Sequence, residues 1–191
     1  HIKAILDIHY GYLRGIAKEI GKSEELVSDE NMEMLISLEE ETDLERTALV
    51  EADGTAHYDN GAEKNVSSRR YFKEAMEGKE TLSNPLESSV DKETRVILGV
   101  PVRKNGKVIG ILGGSYNVTA LSHMLFNDFF EDVGYTLITT SDGEIIAYDG
   151  DPAYRAIKYG DNFFEFYDDQ TLVCGSSMKE VKKDFAVGAS G

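Results

Sequence analysis

The chain has 191 residues, 41% of them hydrophobic and 29% charged, and a formal net charge of −15; this fits one large or two small folded domains. A field of that sign repels phosphate backbones and anionic lipid surfaces, which argues against nucleic acid as a partner. Cys174 is the only cysteine, so no intrachain disulfide forms, and His1, His9, His57 and His123 are too scattered for a Cys/His metal cluster.

No apolar run reaches the ~20 residues of a membrane span. With no signal peptide and no initial methionine, an excised piece of a longer chain is expected. Ile2, Leu6, His9, Leu13, Ile16 and Ile20 alternate four and three residues apart, a heptad seam on one helix face. Two readings are open: the helix packs on its own domain, or it pairs with a second copy. Gly21 is expected to stop it. Ser23 is expected to cap a second helix, with Glu24 and Glu25 in its first turn and Val27, Met34, Leu35 and Leu38 as its buried stripe. Glu39-Glu40-Glu41 reads as the solvated end.

Thr47 to Ala52 reads as a strand, Asp53-Gly54 as a turn and Thr55 to Tyr58 as the return strand. Serines 67 and 68 and Gly78 bracket a short helix carrying Arg69, Tyr71 and Phe72. Thr81 to Ser88 reads as a strand made irregular by Asn84-Pro85. It leads into two Val/Ile-rich runs, Val96 to Val102 and Val108 to Leu112, joined through Asn105-Gly106, a pair suited to the positive φ of a tight hairpin. Their near-continuous apolarity makes both central. The second run ends in Gly113-Gly114-Ser115-Tyr116, where missing side chains let another group approach the backbone. Val118 to Phe130 is expected to be helical, with Leu121, Leu125 and Phe129 on one face. The fold class is α+β: a five-stranded antiparallel sheet with helices on one face.

The first hairpin pattern recurs. Thr47 to Gly61 (TALVEADGTAHYDNG) resembles Thr136 to Gly150 (TLITTSDGEIIAYDG), and both the Asp-Gly turns at 53 and 142 and the closing glycines at 61 and 150 are 89 residues apart. A hairpin repeated at domain spacing points to two copies of one unit. The expected organisation is N-terminal stalk helices over 1–45, a first unit over 46–130 and a second over 131–191, with a helix near Met178 to Phe185. The second unit lacks an equivalent of the Val/Ile hairpin and is expected to be incomplete.

No catalytic pattern is present: no nucleophile elbow, no zinc helix, no phosphate loop. Asp149, Asp151, Asp168 and Asp169 lack EF-hand spacing for calcium. No cofactor or metal is expected, nor an enzyme. The informative group is Arg69, Tyr71, Phe72, Ser115 and Tyr116. An arginine beside aromatic rings suits a carboxylate ligand. The bland reading makes Tyr71 and Phe72 core and lets Arg69 answer the acidic surface.

The order Arg69-x-Tyr71-Phe72, Ala75, Gly78, Ser83-Asn84-Pro85, Gly99-Val100-Pro101-Val102 and Asn105-Gly106-Lys107-Val108-Ile109-Gly110 resembles the Cache family of extracytoplasmic sensor domains, in particular the membrane-distal unit of the double-Cache type. The match is best from Thr47 to Leu121. The resemblance implies a long N-terminal helix, a PAS-like distal unit holding a ligand pocket, and the start of a second PAS-like unit. It implies an extracytoplasmic, periplasmic or cell-surface, portion of a membrane-anchored chemoreceptor, histidine kinase or diguanylate cyclase. A homodimer through the N-terminal helix would go with it. The expected ligand-contacting set is Arg69, Tyr71, Phe72, Ser88, Gly113, Ser115 and Tyr116. In amino-acid-binding relatives, an arginine and an aromatic pair at the positions of Arg69, Tyr71 and Phe72 hold the carboxylate, and an aspartate near the end of the last strand holds the amine. Ser115 stands at that last position. A serine does not balance an ammonium charge in a dry pocket, which leaves a carboxylate or another small polar metabolite. The alternative function is a ligand-free dimerisation or interaction module of the same receptor.

Overall fold

The computed structural model describes residues 2–87, 93–118, 122, 135–140, 142–150, 157–166, 169, 172–173 and 176–186. They divide into two compact units, residues 1–83 with 95–117 and residues 84–94 with 118–191.

In the first unit, α1 (Ile2–Ile20) buries Leu13 and Ile20 of the expected seam, together with Ala17, while the seam residue Ile16 is half-buried. Gly21 follows, but not as a left-handed stop, since its φ is not positive. The physical reason for glycine is a close approach: a methyl group there would lie 2.2 Å from the Arg103 carbonyl oxygen.

The next helix, α2 (Asp29–Glu40), starts later than its acidic run predicts. Its cap is Ser28, whose hydroxyl accepts the Asn31 N–H at 3.2 Å. Ser23 instead donates to Asn31 Oδ1 at 3.0 Å, and the Asn31 amide donates to the Glu25 and Leu26 carbonyls at 3.0 Å each. The buried Asn31 therefore holds residues 23–28 in a loop where a helix was expected. Leu35 and Leu38 are buried as the stripe requires. Glu39 departs from the solvated end: its Oε1 is buried without a hydrogen-bond partner.

The sheet contains β1 (Arg46–Glu51), β2 (Thr55–Tyr58), β3 (Glu63–Asn65), β4 (Thr81–Leu82), β6 (Thr94–Lys104) and β7 (Lys107–Asn117) in the order β3-β2-β1-β7-β6-β4, all antiparallel. The short β5 (Leu86–Glu87) follows β4 after the break expected at Asn84-Pro85. The turn of the long hairpin has φ 51° at Asn105 and 79° at Gly106, the left-handed pair that matches the strand twist. The sixth strand of the path is the exposed β3, Glu-Lys-Asn, a polar edge with no apolar alternation to betray it.

Helices cover both faces, not one. Leu13 and Leu44 lie over the Gly114 position, so Gly114, Leu112 and Tyr116 face α1. On the other side, Ala75 of α3 (Arg70–Met76) lies over Gly99. Because directly paired residues point the same way, Gly99, Gly113 and Ala48 share the α3 face.

In the second unit, β8 (Tyr135–Thr139) pairs with β9 (Ile145–Gly150), and β10 (Leu172–Val173) with β11 (Ser176–Ser177); α4 (Met178–Ala186) follows. The repeat extends to individual hydrogen bonds. Gly54 and Gly143 both have φ 90° and donate to the residue three back, Glu51 at 2.9 Å and Thr140 at 3.0 Å. Their carbonyls accept the Val66 and Phe163 N–H groups at 2.8 Å each. Asn65 and Asn162 each donate to the turn aspartate's carbonyl, Asp53 at 3.4 Å and Asp142 at 2.9 Å. Of the helix expected over Val118 to Phe130, only Val118 and Ser122 fall within the described residues, joined by a Ser122 hydroxyl to Val118 carbonyl bond of 2.7 Å; Leu121, Leu125 and Phe129 lie outside them.

Candidate functional site

One row of paired residues crosses the α3 face of the sheet: Tyr58, Ala48, Gly113, Gly99 and Thr81. Three small residues in the middle leave the floor low, while Tyr58 and Thr81 bound it. At Gly99 the space is taken, since a methyl there would lie 2.7 Å from Thr81 Oγ1. At Gly113 it is not: the nearest atoms to an added methyl are Ile97 Cγ2 at 3.6 Å and the Ala48 carbonyl oxygen at 3.9 Å. Gly113 is nevertheless buried. A methyl at Gly113 would therefore make ordinary van der Waals contacts, where one at Gly99 would clash.

The helix α3 forms the opposing wall. Tyr71 and Phe72 are 7% and 6% exposed. Arg69 is the N-cap of α3, extended at φ −71° and ψ 139°, and no side chain caps the helix. The serine cap expected there is absent because Ser67 turns back to Asn65, its hydroxyl donating to Oδ1 at 2.6 Å. Capping by an arginine leaves first-turn N–H groups without a side-chain acceptor and sets a guanidinium at the positive end of the helix.

Burial raises the Tyr71 hydroxyl pKa well above the ordinary tyrosine value, aided by Tyr58 and opposed by the Arg69 charge. Burial likewise raises Tyr58, with Arg69 again opposing. Both phenols therefore remain protonated donors, and both lie within the field of Arg69. Arg14 binds Glu80, Arg46 binds Asp59, Arg70 binds Glu74 and Arg95 binds Glu45, while Arg103 donates to the Gly78 carbonyl. Among the described residues, Arg69 alone of the arginines has a side chain with neither an ion pair nor a hydrogen bond, and the residue is exposed.

Of the expected set, Arg69, Tyr71, Phe72, Gly113 and Ser115 gather on this side of the sheet. Ser115 is 7% exposed and its hydroxyl donates to the Arg46 carbonyl at 3.3 Å. Tyr116 does not join them. It follows Ser115 in the strand, points to the opposite face, and its hydroxyl hydrogen-bonds His9 Nδ1 on α1, with the rings edge-on at 5.2 Å. Ser88 lies outside the described residues. Tyr58 was not singled out from the sequence, although its place at the end of the first hairpin put it in phase with Ala48.

A separate groove of about 300 Å³ lies between α1 and α2, floored by Ile16, Met34 and Leu38 and rimmed by Glu30, Glu33 and Glu41. Its carboxylates would repel an anion, and Arg69 is not part of it. Among the described residues, no group of three His, Cys, Asp or Glu side chains is placed to hold a metal ion. Of the aspartates considered for calcium, Asp169 has a described side chain, held by Lys182 at 2.7 Å. No helix among the described residues is long and apolar enough to cross a membrane.

No family model matches the chain. Solved structures do. The ligand-binding domain of the Pseudomonas fluorescens chemoreceptor CtaA in complex with L-serine superposes with a TM-score of 0.69 at 20% identity, covering 92% of this chain and 75% of that one. The ligand-binding domain of the Pseudomonas aeruginosa amino-acid chemoreceptor PctC in complex with GABA gives 0.67 at 17% identity, over 87% and 77%. The sensory domain of the Campylobacter jejuni chemoreceptor Tlp3 with isoleucine bound gives 0.61 at 16% identity over 77% of this chain. The chain spans 64% of the length of that Tlp3 domain. At this level of identity the likeness establishes the fold: the chain has the α+β, PAS-like architecture of bacterial chemoreceptor sensory domains.

Proposed function

We propose that this chain is the extracytoplasmic, small-molecule-sensing portion of a bacterial transmembrane signalling receptor. Its ligand is placed between α3 and the sheet face around Gly113, and no bond in the ligand is made or broken. The observation that carries this reading is Arg69 at the N-cap of α3, its side chain without an ion pair or hydrogen bond, beside the buried Tyr71 and Phe72 on the face of the sheet that holds the Ala48–Gly113–Gly99 row. The shared architecture supports the same reading, since the three comparison domains each hold an amino acid or GABA. Ligand arrival biases the receptor only through a difference in affinity between two arrangements of the sensor. Expected contacts are Arg69, Tyr71, Phe72, Gly113 and Ser115, with Ser88 a further candidate. The parent receptor is taken to be membrane-anchored.

The test is thermal melting against a metabolite library. Stabilisation by one chemical class, abolished in Arg69→Ala, is the expected result. Absence of any stabilising compound, or stabilisation unchanged in Arg69→Ala, would remove the proposal. A second reading, a dimerisation module without ligand, draws on Ile8 and Tyr12 of α1, which are 55% and 51% exposed. In that case self-association would weaken in Ile8→Ser with Tyr12→Ser, and the library would stabilise nothing.

A further inference from the structure

We infer that Glu39 and Asp59 share a single proton, and that this proton latches the last turn of α2 onto the β1–β2 hairpin.

Backbone geometry brings the two carboxyls to one place. The Asp59 N–H donates to the Thr47 carbonyl at 3.1 Å, which continues the β1–β2 register one pair beyond Ala48 and Tyr58. Directly opposed residues share a face, their β-carbons about 5 Å apart. That face is the one α2 covers, because the Thr47 hydroxyl reaches the Leu35 carbonyl at 3.4 Å. Glu39 stands one turn on from Leu35 in α2, and helical side chains lean toward the helix N-terminus. The Glu39 carboxyl is thereby carried back over Thr47 and its cross-strand neighbour Asp59.

What each carboxyl lacks is a donor. Glu39 Oε1 and Asp59 Oδ1 are both buried without a hydrogen-bond partner, and no other buried side-chain nitrogen or oxygen among the described residues is left so. The Asp59 side chain is only 7% exposed, and its other oxygen is held by Arg46 at 2.9 Å. If both carboxyls were ionised, acceptor would face acceptor and charge would face like charge. One proton converts that repulsion into a charge-assisted hydrogen bond and satisfies both orphaned oxygens.

Arg46 makes Asp59 the ionised member, so Glu39 carries the proton. Burial raises the Glu39 pKa; a hydrogen bond from Thr47 opposes this and the Asp59 charge adds to it. The other charged groups of this region supply no competing cation. Glu40, Glu41 and Asp43 are exposed, no basic residue stands in the last turn of α2, and Arg95 is bound to Glu45. The latch is closed below the ordinary glutamate value of 4.5 and opens as pH rises through the raised value of Glu39. When it opens, the two carboxylates repel and the end of α2 loosens from the sheet.

The experiment uses the 191-residue chain and two readouts. Infrared difference spectra should show a protonated-carboxyl band that persists above pH 4.5, is absent in Glu39→Gln, and titrates at lower pH in Asp59→Asn. Amide-exchange protection at Glu41 and Thr42, which donate to the Ser37 and Glu39 carbonyls, should fall by about tenfold or more as the band disappears, the range for a hydrogen bond to a charged group. In Glu39→Gln, whose amide donates to Asp59 without titrating, protection should stay high at every pH. A parent chain with no such band would overturn the shared proton. A band with exchange protection that ignores it would overturn the latch. Restoration of protection at alkaline pH by sodium or calcium ions, in the parent but not in Glu39→Gln, would show a cation where the proton is assigned and would overturn the proposal.

Discussion

Adjacent glycines on β7 make opposite predictions, and the pair tests how much room lies above Gly113. A methyl group on Gly114 would lie 2.7 Å and 3.0 Å from the two Leu44 methyls and 3.2 Å from Leu13 Cδ2. Leu44 and Leu13 are 7% and 0% exposed, so neither rotates without displacing other core atoms. Overpacking of this kind costs about 1–3 kcal/mol. Replacing glycine by alanine at an ordinary φ returns about 0.4–1 kcal/mol through the unfolded state. Gly114→Ala should therefore lose about 1–2 kcal/mol net. Gly113→Ala meets nothing nearer than 3.6 Å, so the unfolded-state term stands alone and the variant should gain about 0.4–1 kcal/mol. Urea unfolding followed by far-UV circular dichroism measures both, with the slope checked for constancy. The same Gly113→Ala variant should bind ligand more weakly, because the methyl occupies the ligand's floor. Stability and affinity would then move in opposite directions at one site. If Gly113→Ala is as destabilising as Gly114→Ala, the space above Gly113 is filled and the placement of the ligand there fails.

Other consequences follow from the packing. Gly21→Ala should cost about 2 kcal/mol or more, since its methyl meets a backbone oxygen at 2.2 Å; chemical denaturation measures the loss, and a neutral result would show that the end of α1 does not press on β6. Burial raises the Glu39 pKa above its ordinary 4.5, and the facing Asp59 raises it further against the Thr47 hydrogen bond. Stability from this group is full below the ordinary glutamate range and is lost as pH rises through the raised value. Glu39→Gln should accordingly be more stable than the parent at neutral pH and lose that advantage as pH falls through 4.5, read as melting temperature against pH; a difference constant with pH would contradict the assignment. Ser28→Ala removes the α2 cap and should cost about 1 kcal/mol, whereas Ser23→Ala leaves the cap in place; the two are compared by urea midpoint, and the reverse ranking would place the cap wrongly. Asn162→Ala should loosen the β8–β9 turn as Asn65→Ala loosens the β1–β2 turn, both seen as faster amide exchange at the glycine after the turn aspartate, and unequal behaviour would count against an equivalent role.

The central hairpin was legible in the amino acids because its signals are local: Val/Ile runs and Asn105-Gly106 fix both strands and the turn without reference to the rest of the chain. The β1–β2 turn and its echo 89 residues later were legible for the same reason. Ser23 was expected as the cap because acidic residues follow it, and they follow Ser28 too; what moves the cap to Ser28 is the buried Asn31, whose amide holds the intervening carbonyls and whose burial no periodicity announces. Arg69, Tyr71 and Phe72 were grouped in the sequence as an arginine beside aromatic rings. Tyr116 was grouped with them by adjacency, although neighbouring strand residues must point to opposite faces, and period-two alternation alone separates it from Ser115. Tyr58 and the double coverage of the sheet depended on which distant strands pair, and that lies in tertiary contacts, not in any local pattern.

The pairing of Arg46 with Ser115 spans 69 residues, a far longer closure than the local β1–β2 and β6–β7 hairpins require. Long loops close slowly and late. While the ribosome is still making the first hundred or so residues, β1 has β2 on one flank and nothing on the other, and Leu49 and Leu35 lack the strand that shields them. The sheet is completed where the β6–β7 hairpin sets β7 against β1. A chain truncated anywhere before β7 would leave an open sheet edge, and a nascent chain paused there is the species a chaperone should recognise.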